Sequence, residues 1–495
     1  MSGMTSVNKL SLRRQVIGGF FWKFGERILA QGISFVVSVV LARLIAPAEF
    51  GVIALTWSFI ALANVFVVSG FATALIQNKD ATDDDFSTNF YCSLAVSLVL
   101  YAALFAAAPA IAGFYGIPQL SLVLQVMGLR IPVSSYSAIQ HAWVERHMAF
   151  RNYFFSTLFG TLLSGVVGVA MAFRGFGVWA LVAQYFTNTL VDIAVLSFTV
   201  PWRPRLVFSA PSAKQMMSFG WKVLAADLSG TFFDQMRSLL VGKFYTPADL
   251  AFYNKGKSLP DLLTSNVGST VMTVLFPAIA NINDDRARVK AVLRKSVALS
   301  AYVLFPCLFG LAATAHSLVL TLYTAKWEAS VPFIRILAIS SAISLIGHVS
   351  LQSIKAIGRS DVLLKLEFFK KPVYVVLLLL GVKMGVLAIA WTMLAYSVYG
   401  AFVNARQLKT LLGYGYREQA SDLISPVALS VAMASVVCLF YLIRVGDAMT
   451  LAIQVPVGAI FYMAASVVSK NRLFAELVDM AKRQMVVAGI AHTEG

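Results

Sequence analysis

The chain has little charge, little cysteine and little histidine, and it has no long hydrophilic stretch at all. Only 13% of its 495 residues are charged, with 23 acidic residues against 40 Lys and Arg. The three cysteines, Cys92, Cys307 and Cys438, all fall in apolar segments, which fits packing residues and excludes a disulfide scaffold. The five histidines, His141, His147, His316, His348 and His492, show no metal-ligand spacing, so neither a metal nor another cofactor is expected. No segment between apolar runs is long enough to bury a core of its own. That excludes an appended catalytic domain and points away from an enzyme. Gly256-Lys257-Ser258 ends like a phosphate-binding loop, but Ala251 stands where the loop needs its first glycine. Asp83-Asp84-Asp85 follows Thr82 just before an apolar run, and reads as a helix cap rather than a catalytic triplet.

What is present is hydrophobicity. Of the residues, 59% are hydrophobic and the mean hydropathy is +0.77. Apolar runs of about 20 residues, each enough to cross a bilayer, recur along the whole chain. The expected fold class is therefore an all-α polytopic membrane protein. Runs and breakers give about fourteen transmembrane helices, one of them over 120–139. The net charge of +17 follows from keeping Lys and Arg in cytoplasmic loops. No basic run is interleaved with aromatics in a soluble domain, so no nucleic-acid partner is expected.

The chain opens twice. Phe20, Trp22 and Lys23 reappear as Phe219, Trp221 and Lys222, and Pro47-Ala48-Glu49-Phe50 reappears as Pro247-Ala248-Asp249-Leu250. Six helices separate the copies, so both run in the same direction and the halves are parallel repeats. The expected organisation is a cytoplasmic segment 1–17, a six-helix bundle 18–200, a connector 201–218, a second six-helix bundle 219–404, a connector 405–422, two accessory helices 423–468 and a tail 469–495. With both termini cytoplasmic, most lysines and arginines fall inside, against Arg174, Lys243, Lys326, Lys383 and Arg444 on the opposite side. Lys9, Arg13 and Arg14 precede a long, charged first helix, which reads as a permanent start and not a cleaved signal.

Charges inside the apolar runs are the informative exceptions. An ionisable group at mid-membrane costs roughly 2.5 to 3.5 kcal/mol and usually faces a bundle interior or a wet cavity. The basic set is Lys23, Arg27, Arg43, Arg130, Lys222, Arg237, Lys255, Lys257, Arg335 and Lys355; the acidic set is Glu26, Asp192, Asp227, Asp234 and Asp261. Arg43, Lys222 and Lys355 are placed to snorkel, and Lys257 with Asp261 to pair one turn apart. The remaining surplus of cations predicts a positive path between the halves that accepts an anionic group.

Leu41-Ala42-Arg43-Leu44 leading to Pro47-Ala48-Glu49-Phe50-Gly51, Gly70-Phe71-Ala72-Thr73-Ala74-Leu75-Ile76-Gln77, Phe114-Tyr115-Gly116 and Gly175-Phe176-Gly177-Val178-Trp179-Ala180-Leu181 together resemble the track of bacterial polysaccharide flippases of the Wzx type. The similarity is to the exopolysaccharide branch that serves colanic acid and succinoglycan, within the multidrug, oligosaccharidyl-lipid and polysaccharide exporter superfamily. It implies alternating access that moves an undecaprenyl-diphosphate-linked oligosaccharide across the bacterial inner membrane, energised by an ion gradient. Membrane lipid, and the polymerase and co-polymerase of the same pathway, are the implied partners. In that frame Lys23, Arg27 and Arg237, then Arg130, Lys255 and Arg335, would receive the diphosphate, while Glu26, Asp227 and Asp234 would couple or orient them. The alternative within the superfamily is a cation-coupled multidrug exporter, which calls for an acidic cavity.

Overall fold

The structure is a computed structural model and describes residues 29–68, 81–280, 282, 285–443 and 445–479, with the isolated positions 25, 75 and 482. The side chains at 215, 219, 266–278, 280 and 360 are also outside the description. Every regular element among the described residues is helical. In order these are α1 (Leu29–Leu44), α2 (Pro47–Val68), α3 (Asp83–Tyr115), α4 (Pro118–Gly128), α5 (Arg130–Arg146), α6 (Phe150–Phe173), α7 (Val178–Thr199), α8 (Ala210–Phe244), α9 (Pro247–Ala280), α10 (Arg286–Leu322), a 3-10 segment Ala325–Ser330, α11 (Val331–Ala356), α12 (Ser360–Met384), α13 (Val386–Leu412), α14 (Tyr416–Leu439) and α15 (Asp447–Val468). A short helix over 472–479 follows.

Ten segments are long and apolar enough to cross a membrane, α4 and α5 counting together as Pro118–Arg146. The protein is thus an all-α polytopic membrane protein. Three long helices fall outside that set; in α8 and α12 charges are spread along the helix, while those of α9 are confined to its first half. α8 carries Lys214, Lys222, Asp227, Asp234, Arg237 and Lys243; α9 carries Lys255, Lys257 and Asp261; α12 carries Asp361, Lys365, Glu367, Lys370, Lys371 and Lys383.

The internal repeat extends to the helix junctions. Proline opens α2 at Pro47 and α9 at Pro247. The caps of α3 and α10 are Thr82 and Asp285; each side chain accepts from the N–H three residues on, and Asp85 answers Thr82 with the reciprocal bond. A left-handed residue precedes α6 and α12, Met148 (φ 54°) and Gly358 (φ 80°), and a positive-φ glycine caps α7 and α13, Gly177 and Gly385. Gly177 is required twice over, since a Cβ there would also strike the Glu49 carboxylate 2.1 Å away.

The run expected to be one helix over 120–139 is broken at Leu129. Pro132 has no N–H for the Gly128 carbonyl, and the Leu129 N–H turns to Val126 at 3.0 Å. The helix expected from 219 starts earlier, at Ala210, capped by Ser209.

The chain divides into two compact units, residues 1–251 and 252–495, the division falling within α9. In the first, α6 packs along α7, α3 along α4, and α2 along α8. Its core gathers Leu75, Phe86, Ile139, Val144, Leu196, Val200 and Met216 around Trp202. Trp202 draws the 200–209 connector onto α3: Arg205 pairs with Asp83 at 3.4 Å, and the Ser209 N–H donates to Thr88 at 3.0 Å. At the far end of the unit the start of α2 meets the start of α9, and a Cβ on Gly51 would lie 1.8 Å from the Pro247 carbonyl oxygen. In the second unit α11 packs on α13, and α14 and α15 both pack on α10. That contact is polar at one end, where Arg294 holds Asp422 with two bonds of 2.9 and 2.6 Å and Lys290 holds Glu418 at 2.8 Å. Further along it is aromatic, with Tyr302 and Tyr462 centred 5.2 Å apart.

Candidate functional site: a caged arginine at mid-span

Three helices of the first unit bring one cation and two rings together. Arg130 opens α5 directly after the break at Leu129, Trp57 is at the middle of α2, and Tyr185 is on α7 one turn before Thr189. All lie near the middle of their spans. Trp57 and Tyr185 stack at 5.5 Å with 19° between their planes. The Arg130 guanidinium carbon is 5.2 Å from the Trp57 ring centre and 5.3 Å from that of Tyr185. Its Nε donates to the Thr189 hydroxyl at 3.0 Å, and Nη1 is buried with no hydrogen-bond partner. No carboxylate pairs with Arg130 among the described residues.

Magnitudes decide what this arrangement can do. A mid-membrane guanidinium costs roughly 2.5 to 3.5 kcal/mol, and each ring face returns about 0.5 to 2. The rings hold the charge in place without neutralising it. Arg stays charged at any working pH and presents planar donors matched to phosphate or carboxylate oxygens.

The other expected site residues are dispersed. Lys23, Glu26 and Arg27 lie outside the described residues. Asp227 and Asp234, seven positions apart on α8, are both exposed, and Arg237 on the same helix is half-buried. In the second unit Lys255 is 9% exposed; its ammonium lies 4.1 Å from the Tyr323 ring centre and 5.5 Å from that of Trp327. Arg335 is exposed in the first turn of α11. Lys257 pairs with Asp261 at 3.5 Å.

Sequence reasoning missed the partners. Trp57 and Tyr185 pass for ordinary membrane aromatics until Arg130 is seen against both of them. It also left Asp192 unassigned, although a carboxylate in an otherwise uncharged α7 demands a partner. That partner is His141 of α5, whose Nε2 lies 2.9 Å from Asp192 Oδ2, while Ser156 of α6 donates to Oδ1. In the second unit a buried Lys370 donates to Asn404 Oδ1 at 3.4 Å, and Ser340 and Ser344 both bond Ser397, at 2.7 and 2.9 Å.

Relatives and solved structures match most of this chain. Succinoglycan biosynthesis transport protein ExoT of Rhizobium meliloti (strain 1021) is 26% identical over 492 residues, covering 96% of this chain and 97% of its own. The lipid II flippase MurJ in its inward closed conformation superposes with a TM-score of 0.73 at 14% identity, covering 92% of this chain and 99% of that one. An inward-facing multidrug resistance MATE family transporter superposes with a TM-score of 0.57 at 13% identity, over 78% of this chain and 98% of that one. At such identities the superpositions establish the fold alone. The family model described as polysaccharide biosynthesis protein matches residues 40–332. That stretch is more than half of the chain and contains the caged Arg130 with both of its rings, so the protein belongs to the polysaccharide biosynthesis protein family.

Proposed function

We propose that the protein is a flippase that moves a lipid-linked oligosaccharide, carried on undecaprenyl diphosphate, across the bacterial inner membrane for exopolysaccharide assembly. The single observation that carries this reading is Arg130, a mid-span cation with no carboxylate partner among the described residues, in a member of this family. A lipid diphosphate must bring its head through hydrocarbon, and a guanidinium can replace part of the water it loses. Arg237, Lys255 and Arg335, with Lys23 and Arg27, are proposed as further cations on the path, and Glu26, Asp227 and Asp234 as the carboxylates that orient them. The two six-helix bundles, the fourteen crossings, the cytoplasmic termini and association with a polymerase and co-polymerase belong to the same proposal. The relatives are transporters in name, and ExoT is named for succinoglycan biosynthesis transport, which supports a non-enzymatic role.

The test is export in a host that lacks its own flippase. Arg130→Gln is expected to lower polymer export at least about tenfold at unchanged protein level. Arg130→Lys should recover only part of it, because an ammonium lacks the planar, bidentate donor fork that matches phosphate oxygens. Wild-type export by both variants would remove the assignment. A multidrug exporter would instead confer drug resistance on overexpression with no effect on polymer.

A further inference from the structure

The first unit contains a second polar cluster that an anion path does not use. His141 of α5, Asp192 of α7 and Ser156 of α6 come from three different helices and meet inside the unit. His141 and Asp192 are 27% and 17% exposed at their side chains. Both carboxylate oxygens are engaged, Oδ2 by His141 Nε2 and Oδ1 by the Ser156 hydroxyl. His141 Nδ1 is buried and lacks a hydrogen-bond partner among the described residues. The cluster is eleven residues beyond Arg130 on α5, about 16 Å along the helix.

We propose that His141, Asp192 and Ser156 form a proton-binding site that locks α5 to α6 and α7 when it is loaded. With imidazole neutral and Asp192 ionised the pair carries a net charge of −1; with one proton added it is net neutral. The proton comes from water and goes to an imidazole nitrogen or is shared with the carboxylate, and no bond between heavy atoms forms or breaks. A neutral, hydrogen-bonded pair can remain in a dry helix seam, whereas a pair of charge −1 has to keep water beside it. Proton loading therefore decides whether the seam can close. Histidine suits the task because its ordinary titration range lies near physiological pH.

The surroundings leave the pair to set its own charge. Tyr153 of α6 stands edge-on to the His141 ring at 4.8 Å. α7 carries no charge besides Asp192, α2 has only Glu49 in its first turn, and α3 only Asp83, Asp84 and Asp85 at its start. On α5 the nearest ionisable groups are Glu145 and Arg146, the latter over the Phe86 ring at 5.7 Å. On α6 Arg151 is over Phe155, also at 5.7 Å. From the first helix Gly25 approaches Phe154, with a built Cβ 3.9 Å from its ring, while Lys23, Glu26 and Arg27 lie outside the described residues.

The experiment needs no oligosaccharide, so its outcome is separate from that of the flippase reading. The thermal unfolding midpoint of the full-length protein in detergent is followed from pH 5 to 8. Wild type should show a one-proton step, and both His141→Gln and Asp192→Asn, which keep a donor and an acceptor in place, should remove it. A step that persists in both variants overturns the proposal. If either variant fails to fold, Ser156→Ala decides. Losing a donor to the carboxylate changes the loaded and unloaded states unequally and should displace the step along the pH axis. An unmoved step overturns the proposal equally.

Discussion

At the residue scale, two positions carry backbone arguments that can be tested. Gly51 faces the Pro247 carbonyl so closely that a methyl group has nowhere to go, because the obstacle is main chain and cannot swing aside. Gly51→Ala is expected to destabilise the protein by about 1–3 kcal/mol, read as a lowered unfolding midpoint in detergent. Met148 holds a left-handed backbone at φ 54° where its repeat counterpart is Gly358. Met148→Gly relieves a strain of about 1–2 kcal/mol, partly offset by the larger unfolded-state entropy of glycine. A small rise in the midpoint is expected, and a fall would mean that the Met148 side chain matters more than its backbone. The sequence flagged Arg130 as an intramembrane charge, but three helices had to fold before its cage existed. Positions 57, 130 and 185 have no common spacing, and nothing local links them.

At the element scale, the break between α4 and α5 was legible in hindsight from Pro132. Apolar periodicity overrode it, because a single proline inside a membrane run is compatible with either a kink or a continuous helix. The attachment of α14 and α15 to α10 was not legible. It depends on Arg294, Lys290 and Tyr302 reaching residues more than a hundred positions away. These bonds argue that the last pair is held in register by polar contacts at two depths. The Tyr462 hydroxyl donates to the Tyr302 carbonyl at 2.8 Å in a buried setting. Tyr462→Phe should cost about 0.6–1.7 kcal/mol, the range of interhelical bonds within membranes. Asp422→Asn should cost about 1 kcal/mol or less, since Arg294 is 39% exposed and partly screened by solvent. Thermal unfolding of the single variants and the double variant measures both, and near-additive losses are expected because Arg294 and Tyr302 lie about 12 Å apart along α10 and share no partner.

At the scale of the whole molecule, the order of helix junctions repeats, from Pro47 and Pro247 to Gly177 and Gly385. The proposed fourteen crossings would put both termini on one side. Single cysteines placed at Gly175 and Gly446 in a background lacking Cys92, Cys307 and Cys438 are expected to react with an impermeant reagent added from outside. A cysteine at Arg205 should react only after the membrane is opened. Labelling of all three from outside would exclude the proposed topology.

The sequence by itself determined that this is a helical membrane protein, that its opening stretch is duplicated, and that its apolar runs carry more cations than carboxylates. Those properties follow from composition and from periodicities of a few residues, which are local and survive without knowledge of contacts. Only the tertiary structure decided which charges matter and what they meet. Arg130 lies against two stacked rings with no carboxylate partner among the described residues, Lys255 is enclosed by Tyr323 and Trp327, and Asp192 binds a histidine 51 positions earlier in the chain. The reason is that the cost of a buried charge is set by its neighbours in space, and inside a bundle those neighbours come from helices far apart in the chain.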